Sequence, residues 1–288
     1  MEINGDGHPD ILSGSYSRME QDMAGLFQVL YGNPDGTFRK AEVLKGTDGQ
    51  PLIIPIQSRD QQTENICTRP FAVDWDADGH LDLVVGNFSG TFYWFKGEGK
   101  GKFQPKPQAV KAGNQPLRIQ GAHSDPFPID WDGDGDLDLL SGTSGGGVQW
   151  AENGAGKGNL PELRPFQWLI QPGRAVEYGG VLKEEQLTGP TTSTRVWVDD
   201  VNGDGKLDLL VGDSVTLVSP AKGLSEEAFK KKFAAWQKAY ETVTKEMSQT
   251  TDQAKRSNAQ QEFQKLYQRR TEFMNEDRTG FVWLYLQK

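Results

Sequence analysis

One nine-residue pattern occurs four times in this chain, and few folds accommodate it. The segments are Glu2-Ile3-Asn4-Gly5-Asp6-Gly7-His8-Pro9-Asp10, Asp74-Trp75-Asp76-Ala77-Asp78-Gly79-His80-Leu81-Asp82, Asp130-Trp131-Asp132-Gly133-Asp134-Gly135-Asp136-Leu137-Asp138 and Asp200-Val201-Asn202-Gly203-Asp204-Gly205-Lys206-Leu207-Asp208. Oxygen-bearing side chains stand at positions 1, 3, 5 and 9, with glycine at position 6. Each segment runs into a short apolar stretch closed by glycine, at Gly14, Gly86, Gly142 and Gly212. Strand-like runs precede three of them: Phe71–Val73, Phe127–Ile129 and Val196–Val198. A further strand-like run follows each, at Leu26–Tyr31, Thr91–Phe95, Val148–Ala151 and Phe281–Leu286. Short β-branched and aromatic runs punctuated by Gly, Pro, Asn and Asp read as strands and turns. Glycine makes up 34 of the 288 residues, well above the usual ~7%, which argues against an all-helical chain. The repeating unit is strand, acidic loop, then three more strands joined by turns. Four such units predict an all-β fold, a β-propeller of about four antiparallel blades as a partial or small ring. A sandwich of evenly spaced strands is the alternative.

The loops predict their own chemistry. Alternate residues of a tightly curved loop point inward together, and the glycine allows the positive φ that lets the chain wrap. Carboxylate and amide oxygens in such a set suit Ca²⁺, which takes six to eight oxygen ligands, better than Mg²⁺, which keeps its waters. The expected ligands are Glu2, Asn4, Asp6 and Asp10; Asp74, Asp76, Asp78 and Asp82; Asp130, Asp132, Asp134 and Asp138; Asp200, Asn202, Asp204 and Asp208. Up to four Ca²⁺ follow, one per loop, with the carbonyl at position 7 as a further donor. The flanks are strands and the last acid is at position 9, so this is not an EF-hand, which needs Glu at 12 between helices. Asp, Asn and Gly also make plain turns; four loops of one spacing argue for a shared ligand.

One segment departs from the pattern. Residues 224–276 read as helix, with apolar residues at Phe229, Phe233, Trp236, Tyr240, Val243 and Met247 in a heptad seam. Ser225 suits an N-cap. A polar break over Ser248–Asp252 precedes a second seam through Ala259, Phe263, Leu266, Arg270 and Phe273. The expected organisation is a repeat domain over residues 1–220 and 278–288. An antiparallel, coiled-coil-like helical hairpin over 221–277 is inserted in the last blade.

The Asp-x-Asp/Asn-x-Asp-Gly-x-x-Asp loops, with their apolar-Gly and aromatic sequels, resemble the FG-GAP/VCBS repeat family of calcium-binding β-propellers, related to the integrin α-subunit propeller. The resemblance implies Ca²⁺ in the loop between the first two strands of each blade and an extracytoplasmic setting. Met1–Ile3 run straight into the first loop with no basic and apolar leader. The expectation is therefore a natural start further upstream.

Charge and motif content narrow the function. The net charge is −9, which speaks against broad nucleic-acid binding. No run approaches the ~18 apolar residues of a membrane span. The single Cys67 excludes an intrachain disulfide framework and a cysteine zinc site. Of the histidines, His8 and His80 lie in loops, and His123 near Asp125 has no matching nucleophile. No nucleophile elbow, phosphate loop or His-Glu-x-x-His is present. Trp75 and Trp131, at one repeat position, read as packing. On the face opposite the acidic loops, the candidate ligand residues are Arg69, Phe88, Ser89, His123, Asp125, Ser144 and Arg195, with Tyr16, Ser124 and Thr194 nearby. The leading expectation is a binding or adhesion module for a protein or polysaccharide, without an enzymatic role. The alternatives are a polysaccharide lyase-like enzyme and a scaffold that self-associates through the hairpin.

Overall fold

The computed structural model describes residues 1–16, 25–56, 63–173 and 180–288. The chain divides into two units. The first is Met1–Gly173, Gly189–Ser214 and Phe281–Lys288; the second is Arg174–Thr188 and Val215–Gly280.

The first unit is built of antiparallel sheets. Strands β1 (Ile11–Ser13), β2 (Gln28–Leu30) and β3 (Glu42–Val43) form a three-stranded sheet in chain order. The next sheet is β4 (Arg69–Val73), β5 (Asp82–Gly86), β6 (Phe92–Phe95) and β7 (Gln108–Ala109). A small hairpin, β8 (Lys111–Ala112) and β9 (Gln115–Pro116), follows it. The third sheet is β10 (Asp125–Ile129), β11 (Asp138–Gly142), β12 (Val148–Ala151) and β13 (Gln167–Ile170). The fourth is centred on β15 (Asp208–Pro220), with β14 (Thr192–Asp199) on one side and β17 (Val282–Tyr285) on the other. The repeat expected from the sequence is therefore present as mostly β structure in antiparallel sheets. No closed ring is detected among the described residues. The last strand of each of the first two sheets, β3 and β7, begins beyond Phe38 and Phe103, the aromatic residues that follow the Gly-rich segments Asn33–Gly36 and Gly97–Gly101. These two aromatics close turns, bridged to Gly32 and Gly97.

Side-chain alternation along each second strand binds one sheet to the next. The residue after each position-9 aspartate points back toward the preceding sheet, and the one after that points forward. Leu12 packs forward with Leu83, Val85, Phe27 and Val29 in the first core layer. Val84 packs forward with Leu139, Trp94 and Phe92 in the second. Leu140 packs forward with Leu209, Val196 and Val211 in the third.

A polar lock repeats at each of these interfaces. Gly14, Gly86 and Gly142 lie against the carbonyls of Thr68, Ser124 and Thr194, so close that a Cβ would fall 1.8, 2.3 and 2.3 Å from the oxygen. The N–H of the next residue, Ser15, Asn87 or Thr143, donates to the hydroxyl of that same Thr68, Ser124 or Thr194 at 2.9, 2.8 and 2.7 Å. Ser124 and Thr194, expected on a ligand rim, are instead fully buried.

The second unit begins where β15 continues past Ser214. Its distal half pairs with β16 (Met274–Thr279), from Val215↔Thr279 to Pro220↔Met274. Helix α1 spans Glu226–Gln249 and α2 spans Gln253–Gln268. Ser225 caps α1 by accepting from the Ala228 N–H, and Asp252 caps α2 by accepting from Ala254 and Lys255. Tyr240 meets Phe263, and the Trp236 indole donates to the Leu266 carbonyl at 2.7 Å, which fixes the helices antiparallel. Phe229, Phe233, Trp236, Phe273 and Met274 form the core. The helices end earlier than the seam suggests: residues 269–272 tighten into a 3₁₀ turn, and residues 274–276 are strand. The cause is β15, whose apolar run from Val215 to Val218 offers a ladder that the chain after Phe273 completes.

Candidate metal centres

The acidic loops are organised alike. The position-1 carboxylate accepts from the N–H groups that curl over it. Asp74 takes those of Asp78 and Gly79, Asp130 those of Gly133 and Gly135, and Asp200 those of Gly203, Asp204 and Gly205. Glu2 does the same with Gly5 and Gly7. The position-5 aspartates Asp6, Asp78, Asp134 and Asp204 accept from the N–H at position 7 at 2.9–3.0 Å. Gly7, Gly79, Gly135 and Gly205 have φ of 84° to 94°, the left-handed turn that glycine makes at least cost.

In the second and third repeats three carboxylates converge. Asp74, Asp76 and Asp78 each place an oxygen within 4.8 Å of the others, as do Asp130, Asp132 and Asp134. The first and fourth repeats carry Asn4 and Asn202 at position 3. Each side-chain amide donates to the following aspartate, Asp6 or Asp204, at 3.0 and 3.1 Å.

Two features of the donor set fit a hard cation. Asp76 Oδ1 and Asp136 Oδ1 are buried without a hydrogen-bond partner, a costly state for a carboxylate oxygen unless something positive faces it. Asp136, at position 7 of the third loop, was foreseen only through its carbonyl. Burial and the neighbouring Asp134 and Asp132 push its carboxyl up. In the second loop Lys96 Nζ bonds both Asp76 and Asp78, which raises the lysine above its ordinary range. The third sheet has Glu152 at the equivalent place, by register with Leu139 and Leu83. Among the described residues no lysine or arginine is ion-paired with the carboxylates of the third loop as Lys96 is with those of the second.

The position-9 aspartates are not in the converging triads. Each is buried and spans from the loop to the second residue past β2, β6, β12 or β17. Asp10 accepts from Ile3 and Gly32, Asp82 from Trp75 and Gly97, Asp138 from Trp131 and Asn153, and Asp208 from Val201 and Gln287. Burial raises Asp82 and Asp138 to about 6, against the pull of these N–H groups, with Asp76 and Asp132 adding repulsion.

At the opposite ends of the first strands, several predicted ligand residues meet. Arg69, Asp125 and Arg195 occupy one register position, opposite Gly86, Gly142 and Gly212. Asp125 lies 3.7 Å from the Arg69 guanidinium and 3.8 Å from that of Arg195. Burial raises the Asp125 carboxyl, and the two arginines oppose that rise. The Phe88 and His123 rings lie 4.5 Å apart. Burial and the same two arginines hold His123 below its usual value. Ser89 Oγ lies 2.5 Å from Thr63 Oγ1, and the Ser144 backbone bonds Ala122 and Ser193, so these two serines stand in adjoining turns rather than in the cluster.

The description FG-GAP-like repeat matches this chain twice, over residues 74–141 and 130–211. No curated protein matches the chain detectably. Repeats of this type often bind calcium and are typical of extracellular proteins. No helix among the described residues is long and apolar enough to cross a membrane. The two matched segments contain both carboxylate triads, Asp125 and Arg195, so those residues lie in segments similar to FG-GAP-like repeats, while the first acidic loop and Arg69 lie outside the match.

Proposed function

We propose that the protein is a calcium-stabilised, β-propeller-type binding module whose ligand seats on the face opposite the acidic loops. The observation that carries this reading is the pair of convergent carboxylate triads, each with a buried, unpaired carboxylate oxygen on its own loop. Ca²⁺ would sit among Asp130, Asp132, Asp134 and Asp136, and among Asp74, Asp76 and Asp78 once Lys96 swings away. It would supply charge compensation and cross-link the loop, a structural rather than catalytic role. Asp6, Asn4, Glu2 and Asp200, Asn202, Asp204 offer weaker sets with fewer carboxylates. The position-9 aspartates would contribute through lone pairs left over from their N–H bonds.

The ligand end is Arg69, Asp125 and Arg195 with His123 and Phe88. Two guanidinium groups against one carboxylate leave a net positive spot on a chain of net charge −9. A carboxylate-bearing polysaccharide or peptide suits it, since arginine pairs bidentately with such groups. An extracytoplasmic location follows from the same reading.

The test is metal analysis after chelation and dialysis against Ca²⁺, paired with thermal melts. Bound Ca²⁺ should raise the melting temperature by mass action. Asp134→Ala should lower the Ca²⁺ content by about one per chain, and Arg195→Ala should weaken binding to acidic glycans with Ca²⁺ content unchanged. Unaltered metal content in Asp134→Ala, or melts indifferent to Ca²⁺, would sink the reading.

A further inference from the structure

A cleft of about 610 Å³ opens where the second sheet meets the third, and its lining includes neither the triad carboxylates nor the arginine cluster. That volume falls within the roughly 300–1,000 Å³ of small-ligand sites. One wall is β7 with the β8–β9 hairpin, and the other is the segment 160–163 that leads toward β13. Ala112 of the hairpin bridges Leu163 of the opposite wall. The two walls are thus tied to each other without any ligand.

The floor is apolar and the rim is polar. Trp75 and Trp94 stand at the floor, 3% and 5% exposed, in the core layer that the two sheets share. Gln108 of β7 is the cross-strand partner of Trp94, so the two stand on one face of the sheet. Lys111 of β8 and Asn114 of the hairpin turn lie on the same wall, and Glu162 lies on the other. All four polar residues are exposed. None of their side chains is hydrogen-bonded or ion-paired to another described residue. One cavity therefore gathers four polar side chains whose donors and acceptors the protein itself does not use.

The mixture defines the ligand. An ammonium and a carboxylate on opposite walls balance, so the cleft favours no net charge. Two primary amides each present donors and an acceptor, which suits a ligand whose own groups do both. A hydrocarbon chain would strip water from four polar groups without replacing it. An anionic ligand would face Glu162. A sugar ring meets every requirement, with C–H groups on its face for the indole floor and hydroxyls around its edge for the rim.

We propose that this cleft is a binding site for a neutral saccharide. The Trp75 and Trp94 floor takes the apolar face of a sugar ring, and Gln108, Asn114, Lys111 and Glu162 bond its hydroxyls. The inference is independent of the acidic ligand proposed for the arginine cluster.

The test is titration calorimetry of the full chain against maltotetraose, cellotetraose and tri-N-acetylchitotriose. Calcium is kept present, because Trp75 lies between Asp74 and Asp76 of the second triad. At least one sugar should bind in the millimolar range or tighter. Replacing Gln108→Ala and Glu162→Ala together alters only exposed, unpaired side chains. The double variant should keep the wild-type melting temperature and Ca²⁺ content while binding about tenfold more weakly. Hydrogen exchange with the sugar bound should slow at residues 108–116 and 160–164. Failure of all three sugars to bind the wild type overturns the proposal. So does undiminished binding by the double variant, or protection that falls instead at residues 123–125 and 193–195, which would place the sugar at the arginine cluster.

Discussion

Single residues show where the repeat is under tension. Position 4 of the acidic loop is glycine in three repeats, with φ of 75° to 80°, but alanine in the second, where Ala77 has φ 58°. A side chain in that region costs roughly 1 kcal/mol relative to glycine. Ala77→Gly should therefore stabilise the protein by about that amount, read as a melting temperature a few degrees higher. Lys96 presents a different tension. Its ammonium fills the place between Asp76 and Asp78 that a divalent ion would take. Lys96→Ala should leave the protein less stable in chelator and bind Ca²⁺ more tightly at the second loop, resolved by titration calorimetry. His123 is held below its ordinary value by burial and by Arg69 and Arg195. A lowered base means that the unfolded chain takes up the proton first, so its contribution is present above the unfolded value and lost as pH falls through it. His123→Asn, which suits the left-handed backbone at φ 61°, should flatten the loss of stability between about pH 7 and pH 5. An unchanged wild-type-minus-variant difference over that range would contradict this.

At the scale of elements, what was legible in the sequence is what repeats with a chemical signature. The acidic loops, the strands around them and the helical hairpin could be read because carboxylate spacing, strand alternation and the heptad seam are each periodic. The closing glycines were visible as a pattern, but their purpose was not, since it lies in a neighbour distant in sequence. The hydroxyl that meets each of them stands six residues before the loop, at Thr68, Ser124 and Thr194. That spacing was the available signal, and without the fold these residues looked like rim positions. The position-9 aspartates show the same limit: their spacing suggested a ligand, but not that both oxygens would also accept backbone N–H groups from within the loop and from beyond it. The length of β15 and the strand at 274–279 could not be read, because a ladder between distant segments leaves no local period. The glycine role can be tested by contrast. In Gly86→Ala the new carbon would meet Ser124 O at 2.3 Å and Pro126 Cδ at 2.8 Å, groups that cannot retreat. A loss of about 1–3 kcal/mol or more is expected. In Gly212→Ala the nearest atom is Arg195 Cβ at 4.0 Å, so stability should hold or rise slightly. Equal effects in urea unfolding would refute the lock.

For the molecule as a whole, charge is distributed unevenly along the chain. The acidic loops concentrate carboxylates within the first unit, while the helical stretch is slightly basic, and the net charge is −9. Without a divalent ion the triads at Asp74–Asp78 and Asp130–Asp134 must be tolerated through N–H bonds, solvent and, in one case, Lys96. Exposed like charges of this kind are screened by salt, since the Debye length falls from about 30 Å at 0.01 M to about 10 Å at 0.1 M. Raising the NaCl concentration across that interval should therefore raise the melting temperature of the chelated protein. In millimolar Ca²⁺ the loops are already compensated, and added salt should have little effect or a slightly unfavourable one through weakened ion–carboxylate attraction. The two salt series, run side by side by calorimetry, separate an electrostatic role for the ion from a merely adventitious one. Parallel salt dependences with and without Ca²⁺ would mean that the loops hold their shape by hydrogen bonds alone, and that the metal contributes nothing to the folded unit.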